Sequence, residues 1–194
     1  MPLGYSTSEF VAPYTVAVPD GDAGITATVR QMEKLVYGLK GVKSWIVRQA
    51  AVEAVRGVER GQPEIDSVFE WVRDNIEFRG EYGELLQSPE ATINLGAGDC
   101  DDQSTLIAAL LSSLGFETRF RTIAMREDPA EYSHVYAEVR DKQSGQWIPL
   151  DTTVHGSYPG WQPDGVARTE TYGVMAPANG NNSGLIGRFF NLFR

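Results

Sequence analysis

Three residue types in this chain of 194 residues have the chemistry of a covalent acyl-transfer site, and Cys100 is the first of them. It is the only cysteine, and it follows the glycine-rich stretch GAGD. Apolar residues recur at helical spacing after it, which predicts a helix from about Cys100 to Leu114 with Gly115 at its left-handed end. Unpaired backbone N–H groups and the helix dipole at such an N-terminus favour the thiolate, the nucleophilic form of cysteine.

Negative charge around this cysteine opposes the same ionisation. Asp99, Asp101 and Asp102 surround Cys100, and nearby carboxylates disfavour a thiolate. Acidic residues in the first turn also stabilise a helix without any chemistry. The stretch therefore fits either a reactive thiol with unusual tuning or a former active site that now serves as the core of a scaffold.

The region after Gly115 has the composition of β-strands and contains the candidate base. Alternation and turn signals predict strands at about 116–125, 133–140 and 146–151, with the last two joined as an antiparallel hairpin by the polar turn DKQSG. The apolar side chains of the second strand face the core, which leaves His134 on the opposite side.

The hairpin geometry indicates Asp151 as a partner for this histidine. A turn centred near residue 143 places His134 opposite position 152, one residue from Asp151. A carboxylate beside an imidazole accepts one ring N–H, fixes the tautomer and raises the basicity of the other nitrogen. Cys100, His134 and Asp151 would then supply the nucleophile, base and orienting acid of a cysteine acyl-transfer enzyme.

Helices upstream of the cysteine are expected to build the layer that supports it. Periodicity predicts helices at about 26–39 and 43–56, and a third that begins at Pro63. Trp45 and Trp71 occur at helical spacing among aliphatic residues, which favours core packing over ligand binding.

The segment 78–94 has weak periodicity and is predicted to be a long surface connection that lines the cleft. Asn94 and Gln87 within it are candidate oxyanion donors beside the backbone N–H of Cys100. The alternative for both is a loop side chain that bonds its own backbone. His155 is the only alternative base, and its position past the hairpin favours a surface role.

The amino-acid composition limits which partners and cofactors the protein is expected to bind. The formal net charge of −9 repels nucleic acid and anionic membranes, so a basic partner or none is expected. One cysteine excludes an internal disulfide and a thiolate metal site, and the sequence predicts no cofactor and no metal. The absence of an apolar run of about 18 residues and of a secretory signal predicts a protein that stays in the cytoplasm of the producing cell.

Both ends are predicted to extend from a single domain. Residues 1–22 contain several prolines and glycines and are predicted to form an extended arm. Residues 177–194 combine a flexible linker with an amphipathic tail that would fold back, dock on a partner or lie on a membrane surface. Two arginines are few for the membrane alternative, whereas oligomerisation through either end fits the pattern. The apolar face of the tail comprises Leu185, Ile186, Phe189, Phe190 and Phe193.

Several short motifs resemble the transglutaminase-like superfamily, whose members share a papain-like α+β core with the catalytic order Cys, His, Asp. The matching pieces are GDCDD with the helix STLIAALLSSLG, then FETRF, SHVYAEV and WIPLDTTV, within about residues 65–155. The resemblance implies Cys100 as nucleophile, His134 as base and Asp151 as orienting acid. The upstream helices and ELLQSPE look like the version common in genes of tailed bacteriophages. Asp101 stands where the animal transglutaminases carry Trp, which disfavours a calcium-dependent crosslinker.

These observations predict one α+β domain over residues 23–176, with a helical extension at 23–62 and a core at 63–176. In that core the nucleophile helix packs on an antiparallel sheet. The predicted function is a phage-encoded cysteine hydrolase or acyltransferase that acts on an amide bond of a protein or peptide. The alternative is a non-catalytic structural protein of the virion that retains the fold and binds other phage structural proteins through its ends.

Overall fold

The computed structural model describes residues 14–15, 22–80, 85–126 and 132–173 of the chain. Helices and strands follow one another within these ranges. In chain order they are β1 (Tyr14–Thr15), α1 (Asp22–Tyr37), α2 (Trp45–Ala54), α3 (Gln62–Asn75), β2 (Glu77–Phe78), β3 (Leu85–Leu86), α4 (Pro89–Leu95), β4 (Ala97–Gly98), α5 (Cys100–Ser113), β5 (Thr118–Met125), β6 (His134–Arg140), β7 (Trp147–Leu150) and β8 (Val166–Gly173).

The longer strands form one antiparallel sheet in the order β7-β6-β5-β8. Two pairs of very short strands lie apart from it, β1 with β3 antiparallel and β2 with β4 parallel. Helices pack on the sheet instead of alternating with its strands, which is the arrangement of an α+β domain. The fold class expected from the sequence is confirmed.

Helix α5 lies at the centre of the molecule because its side chains are apolar on nearly every side. Leu106, Ile107, Leu110 and Leu111 are fully buried, and the helix contacts α1, α2, α3, α4 and β6. A helix that is apolar around its circumference is buried against several partners. Its range agrees with the predicted one to within a residue, and Gly115 has a φ of 81°, as a left-handed helix end requires.

Helices α1 to α3 match the three predicted upstream helices and share one hydrophobic core with α5 and the sheet. The side chain of Ser44 caps α2 by accepting the N–H of Ile46 at 3.2 Å. Pro63 lies in the first turn of α3, where its missing N–H costs no helical hydrogen bond. Val29, Met32 and Val36 of α1 are buried, so the N-terminal helical layer is part of the same core.

One packing prediction within α2 is wrong. Trp45, expected in the core, is 67% exposed, whereas Val47, Ala50 and Ala51 form the buried face of the helix. The small alanines allow α2 to lie close to its neighbours, and Trp45 is at the helix end, away from that face. Trp71 is partly buried against the core, as expected.

The described parts of the segment 78–94 contain more secondary structure than the predicted surface connection. They contain β3 and most of α4, a short helix that begins after Ser88, whose hydroxyl accepts the N–H of Ala91. The helix ends at Gly96, which has a φ of 65°. Glu90 of α4 accepts hydrogen bonds from Lys40 and Ser44, which fixes the segment to the α1–α2 loop. Helical periodicity could not reveal α4, because a helix of seven residues provides only two turns.

The last strand was also missing from the prediction. Strand β8 pairs with β5, although most of its residues are exposed and polar. Because β7 and β8 are opposite edges of the sheet, the segment 151–165 crosses from one edge to the other. Tyr136 and Glu138, on the face opposite α5, are each only 1% exposed.

Two expectations fall on parts of the chain outside the described ranges. The apolar tail of residues 185–194 lies wholly outside them, and of the arm at 1–22 only 14, 15 and 22 are described. Docking through the tail therefore stays a prediction. Among the helices that the structure describes, none is both long and apolar enough to cross a membrane.

Candidate active site

Cys100 is the first residue of α5, and the preceding aspartate holds the helix start. The carboxylate of Asp99 accepts the backbone N–H groups of Asp101 at 3.0 Å and Asp102 at 3.2 Å. Such a cap satisfies two of the N–H groups that a helix N-terminus leaves unpaired. The predicted position of the thiol at a helix N-terminus is therefore what the structure shows.

His134 and Asp151 lie within hydrogen-bond distance of each other. His134 is the first residue of β6, and Asp151 follows the last residue of β7. The distance from His134 Nε2 to Asp151 Oδ2 is 2.7 Å. The observed pairing of Ala137 with Leu150 shifts the hairpin by one position from the predicted register. Asp151 consequently reaches His134 along a diagonal between strands instead of from a directly opposite position.

The turn after β7 fixes the carboxylate of Asp151, which is only 2% exposed. Its Oδ1 accepts the backbone N–H of Thr153 at 3.1 Å and the Thr153 hydroxyl at 2.7 Å. Burial alone would raise the pKa of Asp151, but the hydrogen bonds and charge of His134 and the bonds from Thr153 outweigh it and hold the pKa below its usual value. Asp151 is therefore a rigid, ionised acceptor for the imidazole.

Cys100, His134 and Asp151 line one cavity of about 350 Å³. With Nε2 of His134 directed to Asp151, Nδ1 is the ring nitrogen that can receive the thiol proton. Hydrophobic side chains from β2, from β5 and from the segment 151–165 form much of the rest of the wall. They are Phe78, Ile123, Met125, Val154 and Pro163.

The surroundings of Cys100 favour the neutral thiol. Burial raises the pKa of the Cys100 thiol well above its usual range, and the carboxylates of Asp101 and Asp99 raise it further. A hydrogen bond from the backbone of Val135 lowers the thiol pKa, but this effect is smaller than the other three. Cys100 Sγ lies 3.7 Å from Oδ1 of Asp101. The opposition of the aspartates to thiolate formation, expected from the sequence, is thus present in the folded site.

The structure does not support the two predicted oxyanion donors. The side-chain amide of Gln87 donates to Asp102 Oδ2 at 2.5 Å and to the carbonyl of Ala97 at 3.4 Å. Those hydrogen bonds occupy the N–H groups that an oxyanion would need. Asn94 lies on the exposed side of α4 and lines neither described cavity that contains Cys100.

Asp102 is fully buried beneath the start of α5. Besides the amide of Gln87, it accepts the Gln87 backbone N–H at 2.7 Å. Burial raises the pKa of Asp102 to about 7 despite these hydrogen bonds. A Cβ at Gly98 would approach the Asp102 Cβ to 2.6 Å, so only glycine fits there. Asp102 therefore fixes the Gln87 segment against the nucleophile helix.

Two further polar residues of α5, which the sequence did not reveal, connect Cys100 with the segments of His134 and Asp151. Gln103 donates to the carbonyl of Gly98 at 3.2 Å and accepts the hydroxyl of Thr152 at 2.7 Å. Ser104 donates to the carbonyl of Val135, next to His134, at 3.2 Å. The available signal was the run of polar residues at the start of a helix that is otherwise apolar, because buried polar groups require partners.

The distribution of metal-binding side chains gives no indication of a metal. Across the described ranges, no three or more His, Cys, Asp or Glu side chains are grouped to hold an ion.

The fold and the site define a papain-like α+β domain with a cysteine at the start of its central helix. Residues 48–152, more than half of the chain, match the family model described as the transglutaminase-like superfamily. The chain belongs to that superfamily. The matched region includes Cys100, His134 and Asp151. No curated protein matches the sequence.

Two solved structures match the chain at low sequence identity. A candidate protease from Parabacteroides distasonis ATCC 8503 matches with a TM-score of 0.53 and 10% identity, over 76% of this chain and 29% of that one. A candidate cysteine protease from Cytophaga hutchinsonii has a TM-score of 0.49 and 18% identity, over 75% of this chain and 57% of that one. The chain thus spans less than two thirds of either protein. The resemblance to phage versions stays a prediction.

Proposed function

We propose that the protein is a thiol-dependent hydrolase or acyltransferase that acts on an amide bond. Cys100 is the nucleophile, His134 the base and Asp151 the group that orients the base. The observation that carries the proposal is the 2.7 Å contact between His134 and a buried Asp151 in the wall of the cavity that also contains Cys100. Membership of the transglutaminase-like superfamily supports the same assignment.

The Cys100 thiol would give its proton to Nδ1 of His134 as its sulfur attacks the substrate carbonyl. The sulfur forms a bond to the carbonyl carbon, and the carbonyl π electrons move to oxygen. The backbone N–H of Cys100, in the first turn of α5, would donate to that oxyanion. His134 then gives its proton to the departing amine, and water or a second amine cleaves the acyl-enzyme.

The raised pKa of Cys100 has a consequence for this mechanism. Burial and the aspartates disfavour the anion, so they favour a neutral thiol in the resting site. Deprotonation must therefore accompany attack on the carbonyl, with His134 as a general base. The charge of the resulting imidazolium is stabilised by the ionised Asp151.

Alkylation by iodoacetamide tests the proposal, because sulfur displaces iodide only as the proton leaves the thiol. We expect His134→Ala to slow modification of Cys100 by about a hundredfold, the lower end of the usual contribution of a general base. Asp151→Asn should slow it less. His155→Ala is the matched control, since His155 is the other histidine and is exposed.

The readout is the modification rate at pH 7.5, followed by intact mass. Equal rates in wild type, His134→Ala and His155→Ala would exclude the catalytic assignment. The alternative predicted from the sequence, a non-catalytic virion protein that docks through its ends, involves residues outside the described ranges and stays a prediction.

A further inference from the structure

Two cavities adjoin the reactive cysteine, on opposite faces of the sheet. Ile123 pairs with His134 across β5 and β6, and Thr122 pairs with Val135. Successive side chains of a strand point to opposite faces, so these two pairs face in opposite directions. Ile123 lines the 350 Å³ cavity, whereas Thr122 and Val135 line a second cavity of about 200 Å³ on the helix face.

The two cavities share Cys100, Ser133 and His134 in their linings. The paired strand positions Ile123 and His134 therefore separate two spaces that both contact the reactive pair. An enzyme that attacks a carbonyl must accommodate groups on both sides of the scissile bond. The two cavities provide one space for the groups on each side of the scissile bond.

Helix α1 supplies one wall of the second cavity through Ile25, Thr28 and Val29; we call this space the α1 cavity. Val29 and Thr28 are 1% and 7% exposed, so the wall is fixed by the core. Residues 22–37 precede the region that matches the superfamily model, which begins at residue 48.

We propose that the α1 cavity binds the side chain of the substrate residue whose carbonyl Cys100 attacks, and that this side chain is uncharged and apolar. The inference rests on the proposed function and specifies its substrate class. Apolar and hydroxyl-bearing side chains form most of the described wall, and the carboxyl of Asp101 would repel an acidic substrate group.

The size of the cavity supports one side chain as its occupant. Pockets for drug-sized ligands occupy about 300–1,000 Å³, whereas an apolar cavity of about 150 Å³ accepts benzene. A space of about 200 Å³ therefore accommodates a branched aliphatic or a single aromatic group. Burial of such a group should raise the rate about tenfold or more when the transition state retains it.

N-acetyl-valyl, N-acetyl-glycyl and N-acetyl-aspartyl chloromethyl ketones test this assignment. In each reaction the Cys100 sulfur bonds to the methylene carbon, chloride leaves and the thiol proton passes to His134. We expect the valyl reagent to modify Cys100 about tenfold faster than the glycyl reagent, and the aspartyl reagent to be slowest. Rates are measured by intact mass.

Two substitutions at Ile25 connect this preference to the cavity. Ile25→Trp fills the space and should remove the valyl preference. Ile25→Ala enlarges it and should favour an N-acetyl-phenylalanyl reagent over the valyl one. Arg30→Trp adds the same bulk at an exposed position of α1 and should leave the preference unchanged.

The outcomes separate this inference from the proposed function. If wild type shows no preference for the valyl reagent, the α1 cavity assignment is overturned. It is also overturned if Ile25→Trp keeps the valyl preference and Ile25→Ala shows no shift toward the phenylalanyl reagent. Loss of the His134 dependence of iodoacetamide modification would instead overturn the triad. If Ile25→Trp fails to fold, the shift toward the phenylalanyl reagent in Ile25→Ala decides the question.

Discussion

At the scale of single residues, the site combines an activating geometry with a local field that opposes ionisation. The start of α5 favours an anion at Cys100, yet burial and two carboxylates raise the pKa of its thiol. The helix dipole contributes at most about 2 kcal/mol, so it does not offset both effects. His134 and Asp151 are consequently essential to the proposed chemistry.

Asp101 provides the most direct test of this field. Asp101→Asn removes a negative charge beside the sulfur, which lowers the thiol pKa and increases the thiolate fraction at any pH below it. We expect iodoacetamide to modify Cys100 several-fold faster in Asp101→Asn than in wild type at pH 8. Asp74→Asn makes the same charge change at an exposed position on α3 and should leave the rate unchanged. A slower reaction in Asp101→Asn would contradict the electrostatic account.

The raised pKa of Asp102 should make the stability of the protein depend on pH. Its pKa is about 7 in the folded protein and close to 3.9 in an unfolded chain, so only the folded state retains the proton between these values. The free energy of unfolding should therefore fall as pH rises from about 4 to about 7, by up to about 1.4 kcal/mol per pH unit for this group, and then level off.

Urea denaturation at pH 5, 6, 7 and 8 measures this contribution. Asp102→Asn should flatten the dependence, because the amide does not titrate. Asp141→Asn is the control, since hydrogen bonds from Ser144 and Gln143 lower the pKa of that exposed carboxyl and it stays ionised throughout. Parallel curves for wild type and Asp102→Asn would show that Asp102 does not titrate in this range.

The candidate site could be predicted from the sequence because its residues have distinctive chemistry that can be recognised one residue at a time. Cys100 and His134 belong to residue types that occur once and twice in the chain, and the expected hairpin register selected Asp151 among many acids. Gln87 could not be assigned correctly, because its role depends on the buried carboxyl of Asp102. Such a contact joins residues from separate elements and leaves no periodic trace in the sequence.

At the scale of elements, the start of α5 is hydrogen-bonded to the segments that carry the proposed base and its carboxylate partner. Its first two turns bond three different segments, through Asp102 to Gln87, Gln103 to Thr152 and Ser104 to the β6 backbone. Misplacement of a catalytic group by about 1 Å can lower the reaction rate about a hundredfold. The Gln103–Thr152 hydrogen bond is therefore expected to keep the acid-bearing turn in register with the nucleophile helix.

Thr152→Val removes the hydroxyl donor to Gln103 while preserving the shape of the side chain. We expect the iodoacetamide rate of Cys100 to fall by about tenfold, whereas stability should fall by only about 1 kcal/mol. Thr152→Ser restores the donor and should recover the rate. Ser113→Ala removes a hydroxyl bond at the other end of α5 and serves as the stability control. Equal rates in Thr152→Val and wild type would limit this hydrogen bond to a structural role.

Elements differed in how well the sequence predicted them, and the reason is their burial. Helix α5 and strands β5 and β6 bury long apolar sets, so their periodicity was visible. Strand β8 is mostly exposed and has no such alternation, while α4 buries only Pro89 and Thr92. Both depend on pairing or packing with distant segments, which a local pattern does not record.

At the scale of the whole molecule, the N-terminal helices and the superfamily region form one structural unit. The shared core includes side chains from α1, α2, α3 and α5 as well as the sheet. An added layer with its own core would unfold separately, whereas a shared core predicts a single cooperative transition. The α1 cavity depends on this sharing, because α1 can form a specificity wall only if it is fixed to the catalytic region.

Met32 of α1 tests this unity because its side chain is fully buried. Met32→Ala should lower the free energy of unfolding of the entire domain by about 2–5 kcal/mol. Leu39→Ala, at a position that is 79% exposed, should change it by less than about 0.5 kcal/mol. Urea transitions followed by tryptophan fluorescence and far-ultraviolet circular dichroism should coincide in all three proteins. Two separated transitions in Met32→Ala would mean that α1 unfolds independently of the region that contains Cys100, and its wall of the α1 cavity would then be a separable addition.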